Sequence, residues 1–137
     1  MQVLSFSHQT VLEQLPNCHV FSKRDDGRYI DVNKAMCSDV GFDSTKAMIN
    51  RTDTDFVWRD YALCLQRNDQ AVRSMGVAEH FIEPVVFADG RCVNLLSTKF
   101  PLLNAQRKVV GVYGVSIVDY KGSSRTIFSE MQKQCLE

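Results

Sequence analysis

The stretch RDDGRYIDVN, residues 24–33, decides how the chain begins to fold. Its three aspartates and one glycine are open to two interpretations, a metal-binding loop or a reversal of the chain. A calcium loop with Gly27 at its sixth position would put Arg24 at a ligand position and would lack the closing glutamate. The stretch therefore predicts a tight turn at Asp25-Asp26-Gly27 between two strands, with Asn33 capping a helix that follows.

Length and charge limit the kinds of protein that this chain can be. Its 137 residues are enough for one domain with a buried core. Sixteen basic residues balance sixteen acidic ones, so the chain lacks the excess positive charge typical of nucleic-acid-binding proteins. The five cysteines lie far apart and include no CxxC pair, so the sequence does not suggest a zinc site.

No segment has the pattern of a signal peptide or of a membrane span. Residues 1–16 lack a basic region and a continuous apolar stretch. The most apolar run, residues 109–118, is too short to cross a bilayer, and its β-branched residues are typical of a buried strand. We therefore predict a cytoplasmic protein that does not bind membranes.

The hydrophobic pattern predicts an α+β domain. An amphipathic N-terminal helix is expected over residues 1–15, and a weakly amphipathic tail helix over residues 121–135. Between them the pattern predicts strands at 18–23, 28–32, 78–87, 91–102 and 108–119, short helices after Asn33 and Ser44, and a long helix that ends at Met75. This order is typical of a five-stranded antiparallel sheet with helices packed on one face. The last strand is apolar on both sides, so we expect the N-terminal helix, alone or with a partner's copy, to cover the other face.

The long helix carries one charged residue within its apolar stripe. Trp58, Tyr61 and Leu65 recur at helical spacing, and Asp69 falls on the same side. Two interpretations of Asp69 stay open: a buried carboxylate paired with Lys99, or a polar anchor in a ligand cavity. Lys99 either points to water or neutralises Asp69. The candidate ligand-binding residues are Trp58, Tyr61, Leu65, Asp69, Lys99, Tyr113 and Ser116.

Two further aspartates precede the long helix. Asp53 and Asp55 lie in the segment TDTDFVW, residues 52–58. We expect both to accept hydrogen bonds from backbone N–H groups as helix caps. We therefore predict no metal site.

In six segments the chain resembles PAS sensor domains. The segments are DGRYIDVN (26–33), Gly41-Phe42, NRTDTDFVW (50–58), EPVVFADGR (83–91), STKFPL (97–102) and VVGVYGVSIVDY (109–120). Their order and spacing carry the resemblance from about Leu15 to Tyr120. The chain is most similar to bacterial PAS domains attached to histidine kinases, diguanylate cyclases or LuxR-type transcription regulators.

The resemblance implies a non-catalytic sensory module. It implies an N-terminal helix (1–15), a PAS domain (16–120) and a C-terminal signalling helix (121–137). Such domains bind a small molecule, form homodimers and pass a change through the C-terminal helix to an effector domain, here outside the chain. The family commonly ends its core with Asp-Ile-Thr. In this sequence Asp119 keeps the aspartate and Tyr120 follows it, so these two are the expected relay residues.

The resemblance leaves the cofactor unknown, but it disfavours flavin and haem. Flavin-binding relatives need a reactive cysteine just before the long helix, where this chain has TDTDFVW. Haem-binding relatives use a histidine on or near that helix, and residues 52–76 contain none. The histidines, His19 among them, are expected to be ordinary packing or surface residues.

The sequence leaves two alternative functions open. One is a ligand-free PAS module that only dimerises, with its cavity filled by its own side chains. The other is a small α+β enzyme. Residues 114–118 begin like a nucleophile elbow but lack its second glycine, so catalysis is not indicated.

Overall fold

A computed structural model of the chain describes residues 11–119. Its elements are β1 (Cys18–Arg24), β2 (Tyr29–Val32), α1 (Lys34–Val40), three 3-10 helices (Thr45–Met48, Asp53–Asp55, Arg59–Tyr61), α2 (Ala62–Met75), β3 (Glu79–Val86), β4 (Cys92–Leu103) and β5 (Val109–Asp119). Residues 11–14 are helical and stop before Pro16. The rest of the predicted N-terminal helix, Tyr120 and the predicted tail helix lie outside the described residues. In the described range, no helix combines the length and the hydropathy that a membrane span requires.

The five strands form one sheet in the order β2-β1-β5-β4-β3, and every neighbouring pair is antiparallel. The predicted α+β class and five-stranded antiparallel sheet are therefore confirmed. The chain's last strand lies at the centre, between β1 and β4. Gly114 of β5 is opposite Phe21 on one side and Lys99 on the other, so these three residues form a row across the sheet.

Local sequence signals set the limits of the first elements. Gly27 has φ 84° in the turn between β1 and β2, a conformation that glycine adopts without strain. Asn33 caps α1, since its Oδ1 accepts a hydrogen bond from the backbone N–H of Met36 at 3.2 Å. Gly41, with φ 90°, ends that helix. The turn and the cap predicted from the sequence are thus confirmed.

Helices pack on one face of the sheet, which we call the inner face. Alternate side chains of the strands point toward this face, as the period of a β-strand requires. A group of aromatic rings fills much of the space beneath the helices. The ring centroids of Tyr29 and Phe56 are 5.2 Å apart, and Trp58 lies 6.0 Å from Phe56. This cluster fixes the position of the segment that leads into α2.

The opposite, outer face of the sheet exposes a row of aliphatic side chains. Ile82, Leu96 and Ile117 are direct neighbours on β3, β4 and β5, and they are 50%, 41% and 58% exposed. We call these three residues the outer apolar row. Nearer to β1, Leu12 from the helical residues 11–14 lines an open groove over the outer face together with Tyr113.

A glycine on β5 permits the close approach of β1, and this predicts a stability difference. A Cβ atom at Gly111 would overlap the backbone carbonyl of Lys23, whereas one at Gly114 would meet the far end of the Phe21 ring. Backbone moves less readily than a ring edge. We expect Gly111→Ala to lower the free energy of unfolding by about 2–3 kcal/mol, and Gly114→Ala by less. Urea unfolding of both variants measures this; equal losses would contradict it.

Candidate functional site

The carboxylate of Asp69 joins α2 to two strands that do not touch each other. Asp69 is 2% exposed and faces the sheet. Its Oδ1 accepts a hydrogen bond from Lys99 Nζ on β4, and its Oδ2 accepts one from Lys23 Nζ on β1, both at 2.7 Å. Of the interpretations that the sequence left open, the pairing of Asp69 with Lys99 is the one observed. The second lysine was not anticipated.

Lys23 extends the contacts toward the start of the helical region. Its Nζ also donates to Asp53 Oδ2 at 2.7 Å. The other oxygen of Asp53 accepts hydrogen bonds from Tyr29 OH at 2.6 Å and from Trp58 Nε1 at 3.1 Å. This carboxylate therefore accepts hydrogen bonds from three donors.

Lys99 extends the contacts in the other direction. Its Nζ donates to Glu83 Oε2 on β3 at 2.7 Å, and Asn68 Nδ2 on α2 donates to the same oxygen at 2.9 Å. The result is a continuous line of five ionisable side chains across the inner face. We call it the buried charge chain: Asp53, Lys23, Asp69, Lys99 and Glu83.

The buried charge chain contains two ammonium groups and three carboxylates, and each residue is at most 2% exposed. Removing charges from water is costly, and attraction between them offsets this only when the geometry is good and the remaining polar atoms are bonded. Here the excess of carboxylates lies at the two ends, where Tyr29, Trp58 and Asn68 donate neutral hydrogen bonds.

The contacts of the buried charge chain determine which of its groups are protonated at neutral pH. Burial by itself lowers the pKa of Lys23, but Asp53 and Asp69 outweigh it and hold this pKa well above its ordinary value. Burial raises the pKa of Asp69, but the two lysines outweigh it and lower this pKa. Burial, followed by the negative charge of Asp53, raises the pKa of the Tyr29 phenol. At neutral pH, Lys23 and Asp69 are therefore charged and Tyr29 is a neutral donor.

Beside the buried charge chain lies a small cavity, which we call the inner cavity. Its volume is about 10 Å³, which is close to the space that one water molecule needs. Ser116 contributes a hydroxyl that is hydrogen-bonded to Ser97 at 2.7 Å. The cavity is lined by His19, Phe21, Lys23, Tyr29, Met36, Trp58, Leu65, Glu83, Leu95, Lys99 and Ser116.

The two aspartates before α2 have different roles. Asp55 caps its turn, because its Oδ2 accepts the backbone N–H of Thr52 at 2.9 Å. The expectation that Asp53 is also a cap is wrong, since its carboxylate turns inward to Lys23. Residues 11–119 contain no group of His, Cys, Asp and Glu side chains arranged to hold a metal ion.

This architecture matches a known protein family. The family model described as "PAS fold" matches residues 12–118, which is most of the chain. The chain belongs to the PAS family. Among curated proteins, no match was found.

Solved structures with the same fold include complexes of VqmA and a PAS domain. VqmA bound to DPO is 21% identical with a TM-score of 0.75, covering 83% of this chain and 57% of that chain. A Vibrio cholera VqmA–ligand–DNA complex is 18% identical with a TM-score of 0.76, covering 94% and 57%. A PAS domain from Colwellia psychrerythraea is 16% identical with a TM-score of 0.69, covering 86% and 98%. This chain thus spans little more than half of the VqmA chains.

Five of the seven candidate residues lie together at the PAS inner face. Trp58, Leu65, Lys99 and Ser116 line the inner cavity, and Asp69 binds both of the lysines that line it. Their role in ligand binding stays a prediction.

The other two candidates lie elsewhere, which corrects the expected grouping. Tyr61 is buried in the core but does not line the inner cavity. Tyr113 is on the outer face, where its ring centroid is 6.5 Å from that of Phe100. The reason is the two-residue period of β5: Ser116 faces inward, so Tyr113 must face outward.

Several residues of this site were not predicted from the sequence, although strand alternation could have found some of them. His19, Phe21 and Lys23 recur at every second position of β1, which places all three on the inner face. Asp119 ends β5 as expected, and its relay role stays a prediction.

Neutralising Asp69 is expected to destabilise the domain in a pH-dependent way. Asp69→Asn leaves two buried lysines short of a counter-charge, so we expect a loss of about 3 kcal/mol or more at pH 7. The folded-state pKa of Asp69 is lowered, so its stabilisation is present above the unfolded-state pKa of about 3.9. It is lost as pH falls through the folded-state pKa.

The difference between wild type and Asp69→Asn should therefore narrow at acidic pH. Chemical unfolding from pH 7 down to pH 3 measures it. Asp60→Asn is a matched control, because Asp60 is exposed and no hydrogen bond of its side chain is observed in the described range. A difference that does not change with pH would contradict the assignment.

Proposed function

We propose that this PAS domain is a non-catalytic sensory module that binds a small molecule at the inner cavity. The observation that carries the proposal is the buried charge chain along the cavity. Apolar side chains of similar volume often stabilise a core as well as a buried ion pair does, or better. Five linked ionisable groups are buried here, and three of them, Lys23, Glu83 and Lys99, line the cavity. This arrangement is better explained by recognition of a polar guest than by packing.

Two solved structures of VqmA support the proposals of a small-molecule ligand and of an effector domain. One structure of VqmA, a protein with the same fold, is bound to DPO. Another describes VqmA among LuxR-type receptors. Because this chain spans little more than half of the VqmA chains, we propose that an effector domain outside the chain receives the signal. A transcription regulator is our first choice, with a kinase or a cyclase as alternatives.

Binding requires the inner cavity to enlarge. Typical ligand cavities hold roughly 300–1,000 Å³, whereas this one holds about 10 Å³. An open groove of about 270 Å³ lies between the β1–β2 turn and α2, with Gly27 and Gln66 on its sides, and it reaches Asp69 from outside. We propose that a guest enters here and separates α2 from the hairpin.

The small cavity also favours a second candidate function. A PAS module that only dimerises needs no guest, and its interior would be filled by its own side chains. The cavity of about 10 Å³ fits that description. The two functions differ in one measurable property: only the sensory module gains stability from a small molecule.

Signal output is proposed to run through β5. Ser116 faces the inner cavity and Asp119 ends the strand three residues later. A guest can shift the domain between two packings only by the difference in its affinity for them. We propose that the shift passes from Ser116 to Asp119 and Tyr120, and then to residues 121–137.

Homodimerisation is proposed to use the outer apolar row. Contiguous exposed aliphatic side chains on a sheet are typical of a contact surface. The likeness to VqmA, which is described as a dimer, supports a second copy of this chain as the partner.

Blocking the inner cavity should abolish stabilisation by a guest. We expect compounds from a metabolite library to raise the melting temperature of the wild-type chain but not of Leu65→Phe, whose larger ring fills the cavity. Leu63→Phe is the matched control, because Leu63 lies on the same helix and is exposed. Thermal shift and native mass spectrometry measure this. Failure of every compound to stabilise the wild type would favour the ligand-free module.

A charge in the outer apolar row should separate the dimer. We expect Ile117→Asp to be monomeric in sedimentation velocity at concentrations where the wild type is dimeric. A buried unpaired carboxylate costs several kcal/mol. Ile30→Asp, which changes an exposed isoleucine on β2, should stay dimeric. A dimer that persists in Ile117→Asp would contradict the proposed interface.

A further inference from the structure

One wall of the inner cavity carries a polar atom without a partner. His19 on β1 is 1% exposed. Its Nε2 lies 2.8 Å from Asp39 Oδ2, but its Nδ1 has no hydrogen-bond partner among the described residues. Buried side-chain nitrogens are nearly always hydrogen-bonded, so an unsatisfied one calls for an explanation.

The ring of His19 is held in place by its neighbours. Its centroid is 6.2 Å from that of Trp58 and 5.6 Å from that of Phe87. Asp39 lies on α1 and is 17% exposed, so the Nε2 side of the ring is turned toward the protein surface. The two ring nitrogens point in diverging directions, so Nδ1 is turned away from Asp39 while the ring lines the inner cavity.

The pairing with Asp39 determines what Nδ1 can do. A carboxylate only accepts hydrogen bonds, so Nε2 carries the hydrogen in this contact. In the neutral ring Nδ1 is then an acceptor. Other polar side chains that line the cavity are already engaged: Ser116, opposite His19 in the sheet, bonds Ser97, and the lysines bond carboxylates.

We infer that His19 Nδ1 is the acceptor for an N–H or O–H group of the bound small molecule, and that Asp39 is a positioning residue that keeps the ring in its acceptor form. The inference rests on the proposed function and adds a selection rule to it. The site prefers a molecule that donates a hydrogen bond over one of the same shape that does not.

The first measurement determines the hydrogen position on His19. Nitrogen-15 NMR of the 137-residue chain at neutral pH is expected to show hydrogen on Nε2 and none on Nδ1. Asp39→Asn offers Nε2 a donor as well as an acceptor, so we expect part of the hydrogen to move to Nδ1 in that variant. Asp43→Asn, a change of an exposed aspartate near the end of the same helix, should leave the ring as in the wild type. A wild-type Nδ1 that carries hydrogen overturns the inference.

The second measurement uses phenol and toluene, which have nearly the same size and differ by one hydroxyl donor. We expect phenol to shift the His19 Nδ1 signal and to bind the wild type roughly tenfold more tightly than toluene, as one hydrogen bond allows. Asp39→Asn should weaken that preference, because part of its His19 rings carry hydrogen on Nδ1. Phenol acting no more strongly than toluene on the wild type overturns the inference.

Failure of the role inferred for His19 can be distinguished from failure of the proposed ligand site. If library compounds stabilise His19→Phe as well as the wild type, the role of His19 is overturned while the ligand site stands. If no compound stabilises the wild type, the ligand site itself is overturned.

Discussion

The position of α2 on the sheet depends on one carboxylate held between two ammonium groups. Asp69 accepts from Lys23 and Lys99, which stand on strands separated by β5. The two lysines reach the same carboxylate across β5, so no large β5 side chain can stand between them. Gly114 provides this, because the Phe21 ring lies where a β5 side chain would otherwise be. Because Asp69, Lys23 and Lys99 are buried, loss of this contact would leave three charges in the interior with too few hydrogen-bond partners.

The charges of this interior are also unequal in number, and that shapes what the site accepts. Three carboxylates face two lysines, and neutral donors from Tyr29, Trp58 and Asn68 complete the ends. A guest that brings another negative charge would add to an existing excess. A guest that donates a hydrogen bond finds an acceptor in His19 Nδ1. The proposed role of His19 and the charge balance of the chain therefore point to the same kind of molecule, although they come from different observations.

Sequence patterns predicted the sheet and its helices well because these depend on local signals. The turn at Gly27 and the cap at Asn33 follow from turn chemistry and capping, and the inward position of Asp69 follows from helical spacing. The site was predicted less completely because its partners are distant in sequence. Lys23 and Asp69 are 46 residues apart, and no local signal links them. Tyr113 was grouped with Ser116 although the two are three residues apart on β5, so strand alternation puts them on opposite faces. Asp53 has the position of a cap, and only the tertiary fold turns it inward.

The proposed sensing and the proposed dimerisation are linked through the geometry of β5. Adjacent residues of a strand point to opposite faces. Ser116 therefore reaches the inner cavity while Ile117 reaches the outer apolar row. A guest that displaces β5 at Ser116 also displaces Ile117, because the peptide unit between them is rigid. A close-packed core transmits such a shift rather than absorbing it. The central strand thus provides a short physical path between a molecule inside the domain and a second copy outside it.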